Sequence, residues 1–441
     1  MRQIISININ NILGLLLLSF PILIIIGSFA LNCFSIIFSL YAIFNYKSLS
    51  SINILNGKTI ILFFSFIILI FPFESLVFKN SFMQSSIFKY LSFSRFVLML
   101  FGIIIFLEKN NKKNFFSKIY KTYVVILLIL GIDISFEYLF GYNLLGYKST
   151  KAGRIASFTN DELIIGYIFC FTALFTLTFI FKKSNKYYFF IIICVLMAIS
   201  FIVGERSNFL KFTSLIMLFY FIYFALNFRD LSIKKLLIFT PILFVLLFSF
   251  YELTKNTKQG QSLFRLTEDL IIKENGKYKL NIIQRFKVST HASHYATAYK
   301  IFLNYPIFGI GINNFYSESR KSKYEDSKFG IIVVTSDGIV ETPVTRASTH
   351  PHQVYLEIIS EVGLIGLIYC IFIFIYPIYI SLKSLIKSRE INLISHLLLH
   401  IYFIFPILPS GSFFGTNYGV PFWFNLSVLI YLSKKNLKFY S

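Results

Sequence analysis

The sequence predicts an all-α polytopic integral membrane protein, and three observations carry that reading. Hydrophobic residues make up 56% of the 441 positions and charged residues only 14%, where soluble domains average roughly 45–50% and about 25%. The apolar excess is gathered into runs such as "NILGLLLLSFPILIIIGSFAL" and "LIYCIFIFIYPIYISL", each close to the ~20 residues that cross a bilayer as a helix. Lysine and arginine are concentrated in alternate short loops, the distribution that fixes the orientation of a multi-pass chain.

Apolar windows place about twelve spans, near 8–27, 29–45, 59–78, 86–107, 119–140, 161–181, 186–204, 206–227, 234–253, 353–382, 391–409 and 417–433. The first apolar stretch, Ile12 to Leu31, exceeds the ~7–15 residues of a signal-peptide core and lacks a small-x-small cleavage site after it. It is expected to be a retained helix. One set of loops carries Lys109, Lys112, Lys113, Lys118 and Lys121, then Lys182, Lys183 and Lys186, then Arg229, Lys234 and Lys235. The same side continues with Lys383, Lys387, Arg389 and the tail Lys434, Lys435 and Lys438. The opposite loops are sparser in lysine and arginine, so both termini are expected in the cytoplasm. The formal charge of +22 is thereby a membrane-topology signal, and no nucleic-acid partner is expected.

The organisation that follows is nine spans in 1–253, a hydrophilic outer loop in 254–352 and three spans in 353–441. A loop of that length inside a helical bundle is functional or disordered more often than not. Within it, "LNIIQRFKVSTHASHYATAYKIFLN" has helical apolar spacing that must stop before Pro306, which predicts an amphipathic helix at the membrane surface. The loop also holds His291, His294, His350 and His352, four of the six histidines. Cys33, Cys170, Cys194 and Cys370 all lie in apolar runs without C-x-x-C spacing, so buried packing is expected, with neither disulfide nor metal role.

The stretch "STHPHQVYLEIISEVGLIG", 348–366, sets histidines against the start of the tenth span. On a continuous helix, Gly363 falls about 20° around the axis from His352 and Gly366 about 40° on the other side. That face would present His352 at the outer surface and two small residues for close helix contact roughly 16 Å deeper. Glu361 would point the opposite way, out of the site. Glu74, Glu137 and Glu361 lie in or beside apolar runs, as intrabundle partners or as a proton path.

His352-Gln353, nine residues, then Gly363-x-x-Gly366 resembles the His-[Asn/Ser/Gln]-x9-Gly-x-x-Gly signature of the O-antigen ligase family, which includes related O-antigen polymerases. "GERSNFLKF" at 204–212 is similar to the family's Arg-Ser helix start. "NYPIFGIGINNF" at 304–315 is similar to its Pro-x-x-Gly-x-Gly stretch, and "GRIASFTN" at 153–160 to its Gly-Arg segment after the fifth span. The resemblance covers residues from about 150 onward and rests on the constellation, since no single motif suffices.

What the resemblance implies is a membrane glycosyltransferase of the GT-C type with one large periplasmic loop, in the bacterial inner membrane. A glycan on undecaprenyl pyrophosphate would pass to a hydroxyl of lipid A-core, or to a growing glycan in the polymerase alternative, with no cofactor and no metal. Arg206 and Arg285 stand where the family places functional arginines, and a guanidinium binds phosphate oxygens bidentately without ever deprotonating. Arg154, Arg346, His350 and Gln353 are further candidates for substrate contact. His352 is the expected base, since imidazole titrates near 6.5 and can take the acceptor proton as the glycosidic bond forms with inversion. Three bland readings stand beside this. The arginines could snorkel to lipid headgroups, the two histidine pairs could bind a metal, and the intramembrane carboxylates could belong to a transporter. "GIGINN" at 309–314 lacks the third glycine of a dinucleotide fingerprint.

Overall fold

The computed structural model describes residues 9–48, 57–69, 71, 83–110, 114–150, 153–162, 164–226, 254–261, 271–274, 277–280, 290–324, 330–335, 338–343 and 348–439. The first helices are α1 (Ile9–Leu18), α2 (Phe20–Ile26), α3 (Ser28–Phe44), α4 (Gly57–Leu69), α5 (Met83–Lys109) and α6 (Phe115–Phe140). A 3-10 turn at Ser157–Glu162 leads into α7 (Ile165–Lys183), α8 (Lys186–Ile202) and α9 (Arg206–Leu226). The segment between α9 and the last three helices contains the hairpin β1 (Ile271–Glu274) and β2 (Lys277–Leu280), then α10 (Thr290–Asn304) and α11 (Phe315–Ser319), then the hairpin β3 (Gly330–Thr335) and β4 (Gly338–Pro343). The chain closes with α12 (Val354–Ser388), α13 (Asn392–Phe403) and α14 (Thr416–Phe439).

A helix lies at each expected span except the ninth, 234–253, which falls outside the described residues. Among the described residues five helices are long and apolar enough to cross a membrane: α5, α6, α7, α9 and α12. The α1–α2 pair makes a sixth if its 69° bend is counted within one span. The bend has a local cause. Pro21 sits in the first turn of α2, where its ring cannot follow a preceding helical turn and its missing N–H breaks the ladder. Others, such as α8 and α13, are apolar but shorter. The all-α expectation needs one correction: both loop hairpins are antiparallel strand pairs, Ile271 opposite Leu280 and Gly330 opposite Pro343. The amphipathic helix is α10, ending at Asn304 as the proline required.

Helix α7 is buried continuously from Ile165 to Thr178, as befits a helix apolar all round and surrounded by others. Aromatic rings fill the space about it: Phe20 stacks on Phe424 at 4.0 Å, and Trp423 meets Phe63, Phe66 and Phe93 at about 6 Å edge-to-face or offset. The cysteine expectation holds for Cys170 and Cys370, whereas Cys33 and Cys194 are exposed on outward helix faces. A residue in an apolar run of a membrane helix can face lipid as well as core, and hydropathy does not separate the two.

The feature that positions the site is a break inside α12. Gly363 has φ 65° and ψ −166°, which interrupts the helical ladder. The peptide groups freed by the break are taken up by residues 306–311. Ile310 N–H donates to Ser360 C=O and Gly311 N–H to Glu361 C=O, while Leu364 N–H donates to Pro306 C=O and Ile365 N–H to Ile307 C=O, all at 2.7–3.3 Å. The two backbones run so close that a Cβ on Gly363 would lie 2.3 Å from Ile307 O, and one on Gly309 2.4 Å from the Glu361 carbonyl carbon. The continuous helical face expected to join His352 to Gly363 and Gly366 is therefore overturned. Val354 is the first helical residue and the helix is interrupted at Gly363. The glycine pair serves the crossing: Gly363 admits the loop backbone, and Gly366 receives the side chain of Val362, 2.3 Å from where its own Cβ would be.

Gly363→Ala should therefore destabilise the protein more than Gly366→Ala, by about 2–4 kcal/mol against a smaller loss, because it combines a left-handed φ with a backbone clash. Thermal unfolding of both variants in one detergent checks the order; equal losses would mean that the crossing is not rigid.

Candidate functional site

Helix α10 is fastened to α12 by a small core of Ala298, Ile301, Phe315 and Tyr324, with Tyr305, Ile310 and Leu356 against it. Residues 291, 294, 298 and 301 share one helical face, so the packing that buries Ala298 and Ile301 also turns His291 and His294 toward the start of α12. There they meet the other pair. Ring centroids of His352 lie 4.1 Å from His350, 5.4 Å from His291 and 5.5 Å from His294. The sequence contained both pairs and the helix but not their convergence. Among the described residues, no three His, Cys, Asp or Glu side chains are arranged to hold a metal ion.

His352 is the strained member, with φ 60°, a left-handed conformation that costs a non-glycine residue about 1–2 kcal/mol. Its carbonyl accepts from Ser410 N–H at 2.9 Å, and its Nε2 lies 3.1 Å from Ser348 Oγ. Burial, reinforced by the neighbouring His350, His291 and His294, pushes its imidazole down to about 3. Burial likewise lowers His350 to about 4, partly opposed by its contact with Ser410 O at 3.4 Å. His291 is lowered by burial, then by His294 and by the charge of Arg206. His291, His350 and His352 are thus all held low, first by burial and then because a proton on one ring would repel a proton on the next.

Arg206 opens α9 and is exposed, with its charge felt by His291. The turn before it depends on a second glycine contact: Gly204, at φ 80°, would place a Cβ 2.1 Å from Gly153 O. That contact docks the 153–160 segment beside the α9 start, with Ile155 N–H bonded to Val203 C=O at 3.1 Å. Between them Glu205 is buried; burial pushes its carboxyl up to about 7, opposed by the nearby Arg154 charge and by hydrogen bonds from Gly166 and Asn208. Arg154 thus lies beside a carboxylate, within reach of Glu205. Arg285 and Arg346 lie outside the described residues.

Gln353 is occupied within the fold. Its Oε1 caps α12 by accepting from Leu356 N–H at 2.8 Å, and its Nε2 donates to Pro406 O at 2.7 Å. The 404–415 turn that receives it is pinned from all sides. Lys211 Nζ donates to Pro409 O at 2.7 Å, Tyr355 OH to Ile404 O at 2.7 Å, and Phe413 N–H to a Glu357 carboxylate oxygen at 2.8 Å. Lys211 and Glu205 were missed because each reads as a stray charge at a span; the carbonyl and N–H groups that employ them lie far away in sequence.

Two of the four similar stretches, 304–315 and 348–366, thus cross at the α12 break; the other two, 153–160 and 204–212, meet at Gly204, with Arg206 linking that pair to the cluster through His291. Residues 189–371 match the family model described as O-Antigen ligase. Over these residues the chain is similar to the O-antigen ligase family. The match runs from α8 to the middle of α12 and so takes in Arg206, the histidine cluster and both crossing strands of backbone. No curated protein matches the chain. The family domain alone does not contain the 153–160 segment or the 404–415 turn, which pack onto it from outside the matched residues.

The left-handed backbone at His352 yields a paired test. His352→Gly should be more stable than His352→Ala by about 1 kcal/mol, since only glycine adopts that φ without strain. Thermal midpoints of the two purified variants decide it; equal midpoints would mean the turn relaxes.

Proposed function

We propose that the protein transfers a glycan from a polyprenyl diphosphate, undecaprenyl pyrophosphate, to an acceptor hydroxyl on the periplasmic face of the inner membrane. The acceptor we favour is lipid A-core, making the reaction a ligation. The observation that carries this reading is the histidine cluster: one strained imidazole, held low by burial and by three neighbouring rings, with Arg206 at its rim. Such a ring is unprotonated but weakly basic until an anion approaches it, and the family match supplies the class of chemistry.

In the proposed mechanism the acceptor hydroxyl attacks the anomeric carbon from the face opposite the diphosphate. His352 takes the hydroxyl proton while the bond to the diphosphate oxygen breaks, and the configuration inverts. Arg206 and Arg285 bind the phosphate oxygens and stabilise the charge that accumulates on the leaving group. His350 and the backbone of Ser410 hold the base in place, while Arg154 and Arg346 are assigned to the donor or acceptor glycan. Charge neutralisation by arginine needs no metal ion.

The assignment is tested in a deletion strain complemented with variants. Loss of a ligase should leave acceptor lipid bare while long lipid-linked glycan accumulates. Loss of a polymerase should leave single repeat units joined to the acceptor, and that banding would replace ligation with the polymerase reading. His352→Ala should fail to complement by a factor of about 10²–10⁴ in transfer rate, with the lipid donor still bound. Arg206→Ala should weaken donor binding as well as turnover, and His350→Ala should be milder. A complementing His352→Ala would remove the base from His352.

The pH dependence follows from the cluster. A base works only while unprotonated, so a lowered imidazole extends activity to lower pH, and activity is lost as pH falls through the folded-state value. The acid limb of kcat/KM, which reports the free enzyme, should therefore lie well below the ~6.5 of free imidazole. The bound diphosphate is anionic and raises the imidazole, so the limb of kcat should lie above that of kcat/KM. Limbs coinciding near 6.5 would contradict the cluster's role. In the same assay EDTA should leave transfer intact; a loss restored by zinc would favour the metal reading of the four histidines.

A further inference from the structure

A second charged site lies away from the histidines, in the span formed by α5. Arg95 is half-buried there, among apolar helices where a charge is expensive and normally has a named partner. Its hydrogen bonds use only neutral groups. Nε donates to Ser35 Oγ at 2.9 Å, Nη1 to Ser92 Oγ, and Nη2 to Asn32 Oδ1 and to Thr416 Oγ1 at 3.3 Å. The guanidinium also lies 4.9 Å from the ring centre of Phe96. Among the described residues no Asp or Glu pairs with it, in contrast to Lys182 with Glu390 and Lys323 with Glu318.

A guanidinium has five N–H donors, and four are taken by these bonds, which leaves one on Nη1. Ser92 accepts from Nη1, and its own O–H has no acceptor among the described residues. This Arg95–Ser92 pair is the exposed edge of the site. Around it stand the exposed apolar side chains of Phe29, Phe88 and Leu91, and the outward stripe of α3 continues through Ile36, Ile37 and Leu40. Thr416 begins α14, whose N-terminal end adds further positive potential. Among the described residues the site therefore offers a positive charge without a carboxylate partner and two outward donors at an exposed apolar surface.

We propose that Arg95 and Ser92 bind the phosphate of an anionic glycerophospholipid, with its acyl chain along the α3 stripe. The site lies toward the same end of the bundle as the histidine cluster, because Thr416 directly follows the turn that holds His352 and because Lys89 on α5 bonds Asn313 O at 3.0 Å. It is built from α3, α5 and the start of α14, all outside the family-matched residues.

The test is native mass spectrometry of the delipidated full chain titrated with phosphatidylglycerol, phosphatidylcholine of matched chains, and a polyprenyl phosphate. Wild type should hold one phosphatidylglycerol about tenfold more tightly than phosphatidylcholine, the scale of one charge-assisted contact. Arg95→Gln should lose that preference and Arg95→Lys should keep most of it. Asn32→Asp is the decisive variant: it retains the acceptor atom, installs a carboxylate against the guanidinium, and should expel the lipid while thermal stability holds or rises. It remains informative if Arg95→Gln fails to fold. His352→Ala should leave phosphatidylglycerol binding unchanged. No preference in wild type, or undiminished preference in Asn32→Asp, would overturn the site. Polyprenyl phosphate bound in preference to phosphatidylglycerol, and lost with Arg95, would reassign it to the carrier lipid.

Discussion

The exchange of backbone hydrogen bonds at Gly363 is the constraint from which the rest of the site follows. An unbroken α12 would satisfy its own peptide groups and leave residues 306–311 to find partners elsewhere, at a cost of several kcal/mol for each unsatisfied group in an apolar setting. The break lets both segments satisfy each other through four bonds. It locks the end of α10 to α12, and this lock fixes where His291 and His294 point. The small core of Ala298, Ile301, Phe315 and Tyr324 then holds α10 in register. A glycine is required on each side because the two main chains approach to less than a Cβ's width.

The buried carboxylates follow the same logic. Glu137 accepts from Ala156 N–H at 3.0 Å and from Ser157 N–H. Glu361 accepts from Asn313 N–H at 2.6 Å and Phe315 N–H at 3.1 Å. Glu205 accepts from Gly166 N–H, and Glu357 from Phe413 N–H. Each is a splint for backbone N–H groups that no helical ladder satisfies, in an irregular segment or, for Glu205, in the first turn of α7. Intramembrane carboxylates were the sequence feature that favoured transport. Glu137, Glu357 and Glu361 grip loop backbone instead.

Electrostatically, the site separates neutral imidazoles from fixed positive charge. His352 is held low by burial and by three like neighbours, while Arg206 sits exposed at the rim. A diphosphate arriving at that rim would be drawn by the arginine and would in turn make the imidazole more basic. In the proposed mechanism the base would thus strengthen when its substrate is present and remain uncharged when it is not.

The sequence by itself determined the membrane class, the places of most helices, the end of α10 at the proline, and which residue types could carry the chemistry. These are local properties: hydropathy over a span, proline's missing N–H, and glycine, histidine and arginine at fixed spacing. It misjudged the reach of the tenth span, because a helical projection assumes an unbroken ladder and nothing within 353–366 alone reveals that another backbone will enter at Gly363. It likewise named two histidine pairs without their convergence, and passed over Glu205 and Lys211. Only the tertiary structure decided these, because each depends on a hydrogen-bond partner or a ring supplied by a distant segment, and the chain's local pattern carries no record of which segment that will be.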